Sequence, residues 1–333
     1  MEKYVLEVKN GQKNTAGQKA KEDISNILTN SNFKKAYIKI EASKIKKLLY
    51  TRRNIISGLK ELRGKDTIVI QYPMYSRFAL KLVLKECKKR NIKTIGLIHD
   101  VESLRWSDAN DKTKKQELNL FKGFDCLIVH NSIMHDWLFQ KLGNVPMVDL
   151  GIFDYINSKK YPQISMDKNL IFAGNLQKSA FLEKWNINKK VTVYGVNPSP
   201  KYPVNIVYKG VKTPDELPEY LSGSFGLVWD GDSLDTNSGI FGEYTKYNNP
   251  HKVSLYLSCG LPVIVWEEAA ISSFIIKNKL GIVVNSLHEL KEKVNEIDAE
   301  SYNNMLLNVE KVSKAIRKGK FTIDAVDKAL SLI

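Results

Sequence analysis

The chain switches repeatedly between short uncharged runs of β-forming residues and longer segments with apolar residues at helical spacing. Thr67–Ile68–Val69–Ile70–Gln71–Tyr72 is one such run, ended by Pro73. A strand with so little polarity has to be covered on both faces, as in a parallel sheet layered with helices. Ahead of it stand a strand over 4–8, a helix near 19–28 and a strand over 33–40. Ala20, Ile24, Ile27 and Leu28 fall on one face of that helix. A basic helix over 44–62 follows. Beyond it come a helix over 76–90, a strand over 94–98 that ends at His99–Asp100, and a strand over 124–129. Asn131–Ser132 is placed to cap the next helix.

Residues 151–168 are polar, contain Pro162 and have no clear period. A second series starts after them, with strands over 169–172, 191–194, 205–208, 225–229, 262–266 and 281–284. An amphipathic helical region over 301–331 closes the chain. Strands alternate with helices in both halves, which predicts two parallel-sheet α/β domains. A length of 333 residues suits two domains of roughly 150 residues each. The expected division is 1–155, a linker over 156–168, and 169–333.

Composition narrows the class. No apolar run approaches the roughly 18 residues of a membrane span, and the first residues lack the core of a signal peptide. Cys87, Cys126 and Cys259 lie far apart without metal or redox spacing, as expected of buried thiols in a reducing cytoplasm. The formal charge of +15 is uneven, with a net +12 over 1–155 and +3 over 156–333. The basic half would face an anionic partner or the periphery of a membrane, or would simply be a solvated surface. Its lysines are dispersed and accompany no nucleic-acid recognition motif, so no nucleic acid is expected.

Ligands of parallel sheets sit beyond the carboxyl ends of the strands, which selects the loops to read. Asn248–Asn249–Pro250–His251–Lys252 opens a short apolar helix that stops at Gly260, and Pro262 leads into the next strand. A helix N-terminus with a lysine in its first turn suits a diphosphate. Gly174 and Lys178 lie in the loop after the first strand of the second half, and Tyr208 ends its third strand. The first pair would approach phosphate, and the tyrosine would stack on a base. Asp230–Gly231–Asp232 has the spacing of a Mg²⁺ or Mn²⁺ site, but two lysine-bearing loops already supply positive charge, so no metal is expected. In the first half, Asp100, or His99 held by a carboxylate, could take the proton of an attacking hydroxyl. The charged, poorly periodic stretch after it reads as a mobile acceptor loop, with Glu102, Arg105 and Trp106 as its grips. Thr15, in a polar small-residue loop, would sit at the domain cleft.

Taken together, these segments resemble a known family. They are Asn14–Thr15–Ala16–Gly17, the stretch from Leu97 to Arg105, Val129–His130–Asn131, the stretch from Phe172 to Lys178, and Asn249 through Val263. The family is the glucosyltransferase 3 family, which extends glycans on the serine-rich-repeat adhesins of Gram-positive bacteria. Galactofuranosyltransferase-like enzymes share part of the pattern. The resemblance implies a GT-B fold, with two Rossmann-like domains facing a cleft and a C-terminal helical region. It implies UDP-glucose as donor, N-acetylglucosamine on Ser or Thr of the adhesin as acceptor, no catalytic metal, and a cytoplasmic homo-oligomer. Carried over by position, Thr15, Lys178, Tyr208, Asn248, Asn249, Pro250, His251, Lys252 and Val253 would bind UDP. Many retaining GT-B enzymes carry two Glu residues separated by seven others around this helix, and those places hold Tyr247 and Leu255. The stereochemical course therefore stays open. Two alternatives also stay open: a UDP-galactose or UDP-galactofuranose transferase acting on a polysaccharide or lipid-linked acceptor, and a non-catalytic partner or RNA-binding protein.

Overall fold

In the computed structural model, the described residues are 1–9, 16–40, 43–74, 76–105, 110–162, 164 and 166–333. They divide into two compact units. The first comprises residues up to Leu150 apart from 14–16, together with Phe321–Ile333, and the second runs from Gly151 to Lys320.

The first unit is built on β1 (Lys3–Lys9), α1 (Ala16–Asn30), β2 (Lys34–Lys39), α2 (Lys44–Gly58), β3 (Thr67–Tyr72), α3 (Arg77–Lys89) and β4 (Lys93–Ile98). It continues with α4 (Glu102–Arg105), α5 (Asp111–Phe121), β5 (Cys126–Val129), α6 (Ser132–Leu142) and β6 (Met147–Asp149). Its parallel sheet has the order β2-β1-β3-β4-β5-β6. Every residue of β3 is buried, as its uncharged sequence requires. Asn131 caps α6 by accepting from the Met134 N–H.

The second unit contains β7 (Leu170–Ala173), β8 (Val191–Tyr194), β9 (Ile206–Tyr208), β10 (Phe225–Val228), α7 (Gly239–Tyr244) and α8 (His251–Ser258). It goes on through β11 (Val263–Trp266), α9 (Ser272–Asn278), β12 (Gly281–Val284), α10 (Leu290–Glu296) and α11 (Ala299–Arg317). Its parallel sheet has the order β12-β11-β10-β7-β8-β9. Strand order reverses at β7, the arrangement that opens a ligand crevice between β7 and β10. The last helix, α12 (Lys320–Ser331), is grouped with the first unit.

Three details differ from the sequence reading. The stretch over 151–168 counts with the second unit and is packed into it: Ile152, Phe153 and Tyr155 are buried, and Asn157 Nδ2 reaches Ser258 Oγ at 3.4 Å. The terminal helices are split, α11 with the second unit and α12 with the first. Strand β6, three residues long and directly after Pro146, has too short an apolar run to be read from sequence. Cys87, Cys126 and Cys259 are free and buried. No helix among the described residues is long and apolar enough to cross a membrane.

Candidate functional site

Strands β7 and β10 pair only at Leu170–Phe225 and Ile171–Gly226 and then separate. The gap is bridged from below by α8. Tyr256 lies against Gly226, where an added Cβ would fall 2.3 Å from the ring. Its hydroxyl accepts from the Ala173 N–H at 2.8 Å, satisfying a backbone donor that β10 no longer reaches. The helix thus fixes the end of β7 and delivers its own N-terminus to the crevice.

Lys252, in the first turn of α8, reaches into this place. Its Nζ is 2.7 Å from Asp230 Oδ1 and 3.2 Å from the Trp229 carbonyl, and it sits 4.6 Å from the Phe172 ring centroid. A Cβ on Gly174 would come within 3.1 Å of Lys252 Cε, so the glycine makes room for the lysine stem. Neighbouring loops are tied to this centre. The Gly231 N–H donates to the Lys178 carbonyl at 2.8 Å, and the Phe181 N–H donates to the Gly231 carbonyl. Lys178 Nζ lies 3.7 Å over the Phe241 ring. On the other side a Cβ on Gly195 would fall 1.8 Å from the Gly174 carbonyl oxygen, and Tyr208 Oη donates to the Gly195 carbonyl at 2.9 Å. Lys178, Tyr208 and Lys252 therefore belong to one continuous platform at the strand ends.

The six residues expected to hold a diphosphate at the helix start play different parts. Pro250 occupies the N-cap, and no side chain caps the helix, which leaves its partial positive charge to an outside anion. Asn248 Oδ1 is buried without a hydrogen-bond partner, an acceptor awaiting a donor. Asn249 and Val253 are part of the helix start itself. Asn249 is buried and donates to the Gly151 carbonyl at 2.9 Å, and Val253 is buried with its N–H bonded to the Pro250 carbonyl. Both hold the helix start in place. His251 adds no charge to this helix start. Its ring stacks 4.3 Å from Phe153, and burial pushes its pKa down to about 4, so it is neutral near pH 7.

Sequence reading missed Asp230 as the partner of Lys252. It noticed the Asp230–Gly231–Asp232 spacing and expected no metal there, but gave Asp230 no partner. Asp232 instead accepts from Ser238 Oγ at 2.6 Å and lies 3.6 Å from Lys184.

In the first unit, Asp100 Oδ2 is 2.6 Å from Arg105 Nη1, so these two sequence candidates are brought together as an ion pair. His99 is buried, and its Nε2 meets the Gln71 side-chain oxygen at 2.8 Å. An amide stands where a carboxylate was expected, and it ties β4 to β3. Glu102 and Arg105 do not lie on an irregular loop; they begin and end α4, and α5 follows from Asp111. Glu102 accepts from Arg77, and its Oε2 lies 3.2 Å from Tyr72 Oη. Thr15 and Trp106 lie outside the described residues.

Comparison with known proteins agrees with this fold. Residues 2–152 match the family model described as glucosyltransferase 3-like, N-terminal domain, and 170–329 match its C-terminal domain. The β-1,6-galactofuranosyltransferase WbbI of Escherichia coli K12 is 30% identical over 98% of both chains. Glucosyltransferase 3 of Streptococcus gordonii is 28% identical over 80% of both. A solved E. coli structure described as trehalose-6-phosphate bound with UDP-2-fluoro glucose shares the fold at a TM-score of 0.58, with 10% identity over 98% of this chain and 99% of that one. The chain therefore belongs to the glucosyltransferase 3-like family and is a hexosyltransferase of the GT-B fold.

Proposed function

We propose that this hexosyltransferase takes glucose from UDP-glucose and adds it to N-acetylglucosamine already O-linked on a serine-rich-repeat adhesin. The observation that carries the donor half is the placement of Lys252 and an uncapped helix N-terminus in the crevice where strand order reverses. A diphosphate there would meet Lys252, the end of α8 and the Lys178 loop, which stabilise the charge that develops as UDP leaves. Tyr208 would flank the base, and Asn248 Oδ1 would accept from a ribose or hexose hydroxyl. The lysines and the helix end do the neutralising, and no resident metal is part of the proposal. Asp100, oriented by Arg105, would receive the acceptor's proton if the transfer inverts configuration.

Titration calorimetry with UDP tests the donor half. Charge-assisted hydrogen bonds contribute roughly 1.5–3 kcal/mol each, so Lys252→Ala should weaken UDP binding by about 10- to 100-fold. Near-native affinity in that variant would remove the diphosphate assignment. A second reading has its own support, because the relative aligned over 98% of both chains is a galactofuranosyltransferase. On that reading the donor is UDP-galactofuranose and the acceptor a polysaccharide or lipid-linked glycan. Turnover measured with UDP-glucose, UDP-galactose and UDP-galactofuranose separates the two.

A further inference from the structure

The first unit has a cavity of about 370 Å³ beside the carboxyl ends of β3 and β4, lined by Tyr72, Pro73, Met74, Arg77, Leu80 and Glu102. That is the size of a site for one or two sugar rings, at the lower end of the roughly 300–1,000 Å³ usual for small-molecule pockets.

Its polar wall is rigidly supported. Glu117, fully buried on α5, accepts from Tyr72 Oη at 2.6 Å and from the backbone N–H groups of Glu102 and Ser103 at 2.9 and 2.8 Å. These three donors compensate the buried carboxylate and fix the start of α4. Glu102 then holds Arg77, with Nη2 at 3.2 Å and Nε at 3.4 Å from Oε2. Arg77 is the first residue of α3, where the helix dipole disfavours a cation. The fold accepts that cost and places a planar guanidinium beside a planar carboxylate on a cavity wall, both heads about a third exposed. Pro73, Met74 and Leu80 supply an apolar wall.

Charge also selects the ligand. Arg77 pairs with Glu102, and Lys21, whose Nζ donates to the Pro73 carbonyl, lies near Asp100 and Glu102. The pairs balance, unlike the lysine-lined crevice of the second unit, so the cavity has no net attraction for a phosphate. Paired planar donor and acceptor groups with an adjoining apolar wall match a neutral polyol ring, which has a hydroxyl edge and a C–H face.

We propose that this cavity binds a saccharide ring of the acceptor, with Arg77 and Glu102 bonding adjacent hydroxyls and Pro73, Met74 and Leu80 covering the ring face. The proposal rests on the hexosyltransferase reading above but not on the identity of the donor.

The test uses the full chain without UDP and methyl glycosides of N-acetylglucosamine, glucose and galactose, followed by saturation-transfer NMR. At least one glycoside should bind, and Arg77→Lys and Glu102→Gln should each weaken it tenfold or more. UDP affinity in both variants should stay within twofold of wild type, and an unfolding transition of the first unit unchanged in scanning calorimetry reports that they fold. In the wild-type chain, saturating glycoside should slow hydrogen exchange at 76–80 and 102–105. If no glycoside binds, or if exchange slows only within 170–260, the saccharide site is wrong while UDP binding stands. If glycosides bind as expected but UDP does not, the donor assignment fails and the saccharide site stands.

Discussion

Lys252 does not wait for its ligand as a bare cation. Asp230 pairs with it, and both side chains are mostly buried. An arriving diphosphate must share Lys252 with a carboxylate 2.7 Å away, and like-charge repulsion at that range opposes binding. Asp230→Asn keeps a hydrogen bond to the ammonium and removes the repulsion. It should tighten UDP binding several-fold by calorimetry; loss of affinity would mean that the carboxylate's main contribution is to aim the lysine. His251, the residue before it, makes a second prediction. The folded chain keeps its ring neutral down to about pH 4, whereas an unfolded histidine takes up its proton near 6.5. Between those values the unfolded state binds more protons, so this contribution to stability is complete above pH 6.5 and is lost as pH falls towards 4. It amounts to about 1–3 kcal/mol. Denaturant midpoints at pH 7 and pH 5 should therefore differ more for wild type than for His251→Phe, and equal differences would show that His251 is not the group responsible. Sequence made Lys252 and its helix legible because lysine position and helix start are local. Asp230, 22 residues earlier, and the Gln71 partner of His99 were not legible, since pairing across strand ends leaves no local pattern.

At the scale of elements, the crevice exists because two strands part and a helix side chain takes over the hydrogen bond they drop. Phenylalanine at position 256 would still fill the space over Gly226 but would leave the Ala173 N–H buried and unpaired. Tyr256→Phe should therefore cost about 1–3 kcal/mol in chemical denaturation. UDP affinity should also fall, because Ala173 leads directly into Gly174. A variant as stable as wild type would show that the bond contributes nothing net. This coupling of sheet, helix and loop explains what could be read beforehand. The central strands were legible because burial on both faces demands long uncharged runs, as in β3 and β11. Helices α4 and α5 were not. The start of α4 depends on Glu117, buried 14 and 15 residues away from the N–H groups it receives, while α5 is capped by Asn110 and a charged surface masks its apolar face. The saccharide cavity was invisible for the same reason: Tyr72, Arg77 and Glu102 come from three elements, and only the fold makes them neighbours.

For the whole molecule, the chain does not finish where its second sheet does. Two α/β sheets were evident from length and the doubled strand series, but amphipathic spacing in the last thirty or so residues says that a helix buries one face and not which core receives it. The contacts split this region, so α12 completes the first unit although it follows the second in sequence. Its Thr322, Ala325, Val326 and Ala329 are all buried. Losing burial of one valine and two alanines, and exposing the surface they cover, should cost on the order of 3–5 kcal/mol. That is a large part of the 5–15 kcal/mol that holds an ordinary domain. Deleting residues 320–333 should thus lower the unfolding temperature of the first unit by roughly ten degrees or more. The second unit retains β7, β10, α8 and α11, so the truncated chain should bind UDP within about twofold of the intact one. Scanning calorimetry with and without saturating UDP reads both effects, since UDP should raise only the transition of the unit that binds it. A truncated chain that melts like wild type would remove α12 from the first unit's core. One that keeps its first transition but no longer binds UDP would instead make α12 part of the donor unit, and the division of labour between the two sheets would have to be redrawn.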